Sequence, residues 1–211
     1  MSKYLESKNN NASLKEELVL DVEISNDIIC FYKNTFKCGL NVLYGDNGVG
    51  KTTLLKTICG LIENSNEVLL NSAKTDSSFF SFYFSGDELG EQELTIKENI
   101  LYALNARYRD ILQEYEALVE ILELKEHEDK VLKYASAGMK QKMCVAICFL
   151  RKRKVVILDE PLNYMDDRTS NRLLEYMKER NDIITIVSSN TRYLFGDTLV
   201  NLEDLNSGKE K

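Results

Sequence analysis

Gly45-Asp46-Asn47-Gly48-Val49-Gly50-Lys51-Thr52-Thr53 is the stretch on which the reading of the chain turns. The run before it, Leu40 to Tyr44, has the apolar character of a short buried strand. The run after it, Leu54 to Cys59, reads as a helix with an apolar face. Glycine permits positive φ and close backbone approach, so the turn can aim successive N–H groups inward as an anion nest. The helix adds roughly half a positive charge at its N-terminus. Glycine, four residues, glycine, lysine and threonine is the spacing of a phosphate-binding P-loop. Lys51 is positioned to reach the β- and γ-phosphates of a nucleotide, and the Thr52 hydroxyl to ligate Mg²⁺.

The chain has 211 residues, 44% apolar and 29% charged, which predicts a globular fold with a sizeable core. A net charge of −7 and a pI of about 5.0 argue against a general nucleic-acid binder, which usually presents a basic face. The five cysteines, Cys30, Cys38, Cys59, Cys144 and Cys148, include no C-x-x-C pair. Cys144 and Cys148 share a helical face inside an apolar run, so buried reduced thiols are expected over metal ligands, and with them a reducing, cytoplasmic setting. The N-terminus has no apolar segment of signal-peptide type. The longest apolar run, Met143 to Leu150, is far short of the roughly 20 residues of a membrane span.

Along the chain, residues 1–16 are polar and expected to fray, and residues 17–210 to form a single domain. Leu18 to Ile24 alternates like a half-buried strand, and Ile28 to Tyr32 reads as a second. Cys38-Gly39 has the look of a turn into the strand before the loop. Glu67 to Asn71 and the aromatic run Ser77 to Phe84 suit strands. From Thr95 the period becomes helical, predicting a helical lobe inserted at about 95–150. Val155 to Leu158 is wholly apolar, as in the middle of a parallel sheet. Ser170 to Arg180 reads as a helix and Ile183 to Val187 as another buried strand. The expected class is α/β, with a mostly parallel sheet, N-terminal antiparallel strands and the inserted lobe.

Asp159-Glu160 follows the strand at Val155 to Leu158, where α/β proteins place ligand chemistry. An aspartate there can serve Mg²⁺ opposite the loop hydroxyl, and a glutamate one residue on can orient and deprotonate a water. Ser136-Ala137-Gly138-Met139-Lys140-Gln141 stands at the start of the helix leading into that strand. A serine there caps the helix, and the same free N–H groups can hold a phosphate.

In this order, the glycine loop, the helical stretch, Ser-x-Gly-x-Lys-Gln and Val155-Val156-Ile157-Leu158-Asp159-Glu160-Pro161-Leu162-Asn163-Tyr164-Met165-Asp166 resemble the ATP-binding subunits of ABC transporters, from about Leu18 to Leu202. The resemblance implies two copies packed head to tail around two ATP molecules. Gly45, Asp46, Asn47, Gly48, Val49, Gly50, Lys51, Thr52 and Thr53 of one copy would hold the triphosphate. Ser136, Ala137 and Gly138 of the other would cap its γ-phosphate. Thr52 and Asp159 would hold Mg²⁺, Glu160 would be the general base, and Asp166 would fall in the loop linking the two sites. A separate transmembrane permease would be the second partner, with this subunit on the cytoplasmic face of the membrane.

Three positions depart from the family pattern. Asn190 stands where the family has a histidine against the γ-phosphate; it can donate a hydrogen bond but cannot relay a proton. Gly86 falls near the slot of a glutamine that touches Mg²⁺ and water, with Asp87 or Glu88 as possible substitutes. The aromatic that stacks on adenine is missing from Leu18 to Ile28, and Phe31 and Tyr32 are the nearer candidates. The expected function is an ATP-hydrolysing subunit that drives a membrane partner. The variant Met139-Lys140-Gln141 is similar to exporters of antibiotics or peptides. The alternative is a slow or non-hydrolysing ATP-gated switch with a regulatory or immunity role, motivated by Asn190 and Gly86. ABC-type proteins on DNA carry coiled-coil inserts and those on ribosomes paired cassettes, neither of which is present. A small-molecule kinase leaves Ser136 to Gln141 unexplained.

Overall fold

The computed structural model describes residues 18–25, 29, 32–86, 90–106, 108–190 and 198–202. Strand β3 (Gly39–Tyr44) leads into the glycine loop, and helix α1 (Lys51–Ile58) leaves it. A five-stranded sheet assembles around β3. Its order is β6 (Phe80–Tyr83), β7 (Val155–Leu158), β8 (Ile184–Ser189), β3 and β9 (Thr198–Asn201). Every pairing in it is parallel. Val155 and Ile157 face one layer of core while Val156 and Leu158 face the other. With both faces covered, β7 has no reason to alternate apolar and polar residues, and it does not.

A smaller antiparallel sheet runs β2 (Tyr32–Lys37), β1 (Val19–Ile24), β4 (Val68–Leu70) and β5 (Ala73–Lys74). Its apolar side, Leu20, Val22, Ile24 and Phe36, packs with Leu54, Leu55 and Ile58 of α1 against Leu43, Ile157, Ile184 and Ile186 of the parallel sheet. The opposite face of the parallel sheet is covered by α4 (Ala137–Leu150) and α5 (Asp167–Glu179). Helices α2 (Ile96–Leu104) and α3 (Leu112–Ile121) pack on α4, with Ile100, Tyr115, Leu118 and Val119 fully buried. One apolar core therefore runs from the helical layer onto the sheet.

The α/β class and the antiparallel N-terminal strands are as expected, but several element bounds move. The strand expected at Ile28 to Tyr32 is β2 at Tyr32–Lys37; residues 28, 30 and 31 lie outside the described residues. β2 is an edge strand with Tyr32 and Phe36 inward and Lys33, Thr35 and Lys37 exposed, so its polar character hid it. α5 starts at Asp167 rather than Ser170, because the Asp166 carboxylate accepts from the Thr169 N–H at 2.9 Å and caps it. The aromatic strand begins only at Phe80, after a 3-10 turn over Ser77–Phe79. β5 and β9 are short strands that the residue pattern did not announce. Thr95 opens α2 with a reciprocal capping box to Glu98, and Asn105 ends it at φ 47°. Of the described cysteines, Cys59, Cys144 and Cys148 are buried and Cys38 is half-buried, and burial pushes the Cys148 thiol up to about 12. Cys30 lies outside the described residues.

Candidate functional site

The glycine loop takes the backbone shape its residues permit. Gly48 and Gly50 sit at φ 83° and 105° in the left-handed region that favours glycine, with nothing within 4 Å of the Cβ each lacks. Gly50 is the N-cap of α1 and has no side chain to block the helix N–H groups. Lys51, the first residue of α1, is only 5% exposed. Its ammonium donates to the Gly45 carbonyl at 2.8 Å and the Asp46 carbonyl at 3.1 Å, and lies 3.9 Å from Glu160 Oε1. An ammonium has three donors, so two loop carbonyls leave one for a ligand. Asp46, Asn47 and Gly48 are exposed at the loop tip, Gly45 is buried beneath it, and Val49 and Thr53 are half-buried.

The acidic pair comes to this loop across the sheet. Asp159 continues the β6–β7 ladder through its N–H to the Tyr83 carbonyl, 2.9 Å. Its Oδ2 accepts from the Thr52 hydroxyl at 2.8 Å and its Oδ1 from the Ser188 hydroxyl at 2.5 Å. Asp159 is 3% exposed, so satisfying both oxygens offsets the cost of burying the carboxylate. The Ser188 hydroxyl also accepts from the Glu160 N–H at 2.9 Å. Ser188, at the end of β8, therefore ties both acidic residues from the strand between β7 and β3.

Glu160 sits at φ 48°, a left-handed conformation that costs a non-glycine residue on the order of 1–2 kcal/mol. The turn after it holds that shape. Gln141, buried in α4, donates to the Glu160 carbonyl at 3.1 Å and accepts from the Tyr164 N–H at 3.3 Å. The Asn163 amide donates to Glu160 Oε2 at 2.5 Å. Asp166 closes the turn, and the Thr169 N–H and hydroxyl hold its carboxyl below the usual carboxylate range.

Lys51, Thr52, Asp159 and Glu160 thus converge. Ser136 uses its hydroxyl to cap α4 at the Met139 N–H, 3.2 Å, and Ser136 and Ala137 are exposed at that helix end. Gly138 lies under the turn: a Cβ there would meet the Tyr164 carbonyl oxygen at 2.6 Å. Asn190 is exposed just past β8 and lines, with Glu160, Asn163 and Ser188, a cavity of about 420 Å³. Gly86 is exposed at φ 90° and brings no side chain; Asp87 and Glu88 lie outside the described residues. Tyr32 is 3% exposed in the core and its phenol is pushed up to about 12 by burial, so it does not serve as a stacking surface. Phe31 lies outside the described residues. Ser188, Gln141 and Asn163 carried no role in the sequence reading. The signal for the first two is spatial, since Ser188 meets Asp159 from 29 residues away and Gln141 meets Glu160 from 19, whereas Asn163 stands three residues after Glu160.

The donor set fits a magnesium nucleotide. Main-chain N–H groups and an ammonium suit phosphate oxygens. A hydroxyl on a carboxylate supplies hard oxygen ligands, and Mg²⁺ habitually takes one or two of these with phosphates and waters. Among the described residues, no group of three or more His, Cys, Asp or Glu side chains could hold a metal by itself. No helix among them is long and apolar enough to cross a membrane.

Known proteins share this chain's sequence pattern and fold. The family model described as ABC transporter matches residues 36–163. A tyrosine transport ATP-binding protein of Clostridioides difficile (strain R20291) is 31% identical over 185 residues, covering 76% of this chain and 74% of that protein. The aliphatic sulfonates import ATP-binding protein SsuB of Bacillus subtilis (strain 168) is 33% identical over 138 residues, covering 64% of this chain and 54% of that protein. The energy-coupling factor transporter ATP-binding protein EcfA1 of Thermotoga maritima is 28% identical over 165 residues, covering 72% and 63%. The match thus spans roughly half to three quarters of the length of these relatives. Among solved structures, an ATP-binding subunit of an ABC transporter superposes with a TM-score of 0.74 at 23% identity, covering 87% of this chain and 85% of that one. The cbiO1 protein of Clostridium perfringens, part of the ABC transporter complex cbiONQ, gives 0.72 at 18% identity, covering 92% and 93%. With the fold, the loop and the family match in agreement, the chain belongs to the ABC transporter family, whose ATP-binding subunits are ATPases.

Proposed function

We propose that this chain binds and hydrolyses Mg-ATP to drive a separate membrane subunit. The observation that carries the reading is the meeting of Thr52 with Asp159 at 2.8 Å beside Lys51 and Glu160. Phosphates held by residues 45–53 would take the free donor of Lys51. Thr52 and Asp159 would hold Mg²⁺, which withdraws charge from the phosphate oxygens. Glu160 would orient and deprotonate the attacking water, its carboxylate aimed by Asn163. Two copies packed head to tail would bring Ser136, Ala137 and Gly138 of one against the nucleotide of the other. The exposure of that helix end and of the loop tip supports this pairing.

The expected membrane partner is a permease, with this chain bound on the cytoplasmic face. SsuB, among the relatives above, is named for import. Import is the direction we propose; the export expectation rested on Met139 to Gln141 alone. The switch reading keeps one supporting observation, an exposed Asn190 and a bare Gly86 at two slots near the reacting end. Steady-state turnover of the full chain, with and without its membrane partner, separates the readings. Glu160→Gln tests the site directly. It should lower kcat by a factor of a hundred or more, on the scale of a lost general base, with Mg-ATP affinity retained. Turnover equal to wild type would remove Glu160 from its role.

A further inference from the structure

The buried amide of Gln141 has no part in the chemistry assigned above, yet it grips the segment that carries Glu160 at both ends. Its Nε2 donates to the Glu160 carbonyl at 3.1 Å, and its Oε1 accepts from the Tyr164 N–H at 3.3 Å. The side chain is 2% exposed, so neither bond is shared with bulk water. The turn it spans begins at the one residue of the acidic pair with a positive φ, 48° at Glu160. Within the turn, Asn163 N–H also reaches the Glu160 carbonyl at 3.4 Å and Met165 N–H the Leu162 carbonyl at 3.1 Å, but neither ties the turn to another element.

Gly138 stands one helical turn before Gln141, on the same face of α4. It lets the helix come so close that a Cβ would lie 2.6 Å from the Tyr164 carbonyl oxygen. Helix and turn are therefore in contact at Gly138, and the contact is fastened by Gln141. A left-handed glutamate persists only where its surroundings over-determine it. Here those surroundings are Ser188 on its N–H and Gln141 on its carbonyl.

We propose that Gln141 is a positioning residue for ATP hydrolysis, fixing the main chain of Glu160 so that its carboxylate stands where water is activated. This rests on the role given to Glu160. The Asn163 amide then sets the direction of a carboxylate whose base Gln141 has already placed. Small displacements of a reacting group are costly, and loss of the clamp should lower kcat on the order of tenfold to a hundredfold. The two Gln141 bonds reach neither residues 45–53 nor Asp159, so KM and the affinity for Mg-ATP should stay within about twofold.

The test uses two substitutions in the full chain. Gln141→Met keeps the length of the side chain and removes both polar atoms. Gln141→Glu keeps an acceptor for the Tyr164 N–H and, while ionised, loses the donor to the Glu160 carbonyl. Fluorescent-nucleotide titration checks that each variant is folded and binds Mg-ATP, and if one does not fold the other decides. Both are expected to lose kcat with KM unchanged. Added to Glu160→Gln, Gln141→Met should lower the residual turnover no further, because the group it positions is already gone. A purely structural residue would lower turnover again in that background. Wild-type kcat in a folded Gln141 variant overturns the proposal. Wild-type kcat in Glu160→Gln would instead overturn the role of Glu160 beneath it.

Discussion

The two halves of the site are held in opposite ways. The phosphate-facing half, Gly45 to Thr53, is one continuous segment. Its shape comes from glycine conformations, the first turn of α1 and a lysine bonded to carbonyls five and six residues away. The acidic half, Asp159 to Asp166, borrows its shape. Ser188 reaches it from β8, Gln141 from α4 and Thr52 from α1. Local encoding makes the first half readable and rugged. The second depends on several long-range contacts being right together, and should be the half through which distant changes reach turnover.

If that contrast holds, substitutions in the two halves should fail differently. Lys51→Ala strips the only side-chain cation from the phosphate-facing half and should lower Mg-ATP affinity by two orders of magnitude or more. That corresponds to about 3 kcal/mol, the upper range for a hydrogen bond to a charged group. Isothermal titration reads it, and near-normal affinity would break the contrast at its first term. Ser188→Ala should spare affinity and lower kcat about tenfold. It leaves the Glu160 N–H and one Asp159 oxygen without their partner, at about 1–3 kcal/mol for a buried polar group. Gly138→Ala should lower kcat several-fold, because the new methyl must push the Tyr164 carbonyl aside, an overpacking cost of about 1–3 kcal/mol. A loss of nucleotide binding in Ser188→Ala would mean that the halves are not separable. Thr95→Ala is the control: it removes the α2 cap for ~1 kcal/mol, lowers Tm by about 2–4 °C and leaves kcat alone.

What the sequence made legible follows the same division. The loop, β3 and β7 could be read from adjacent residues, since glycine spacing and an unbroken apolar run are local signals. So could the acidic pair, as the end of β7. β2 could not, because an edge strand with Lys33, Asn34 and Thr35 between its two buried aromatics looks like a loop. β5 covers two residues and has no period to detect. The start of α5 was misplaced because Asp166 was read for its place in a family loop and not as a helix cap. Gln141 and Asn163 stood inside the quoted motifs with no task of their own, and only folding brings Gln141 and Ser188 to Glu160. Tyr32 looked available to a base, but the core beneath the antiparallel sheet buries the ring.

Strand order sets one more property of this site. β8 lies between β7 and β3, so the carriers of the acids and of the glycine loop are separated by two strand spacings, about 9.6 Å of main chain. A hydrogen-bonded sheet behaves here like a ruler with one division size. The mouth can be adjusted by side-chain length, but its frame can widen or narrow only in whole divisions, by gaining or losing a strand. The gauge of the jaws is thus fixed by topology, and every residue that lines them is selected to work at that width.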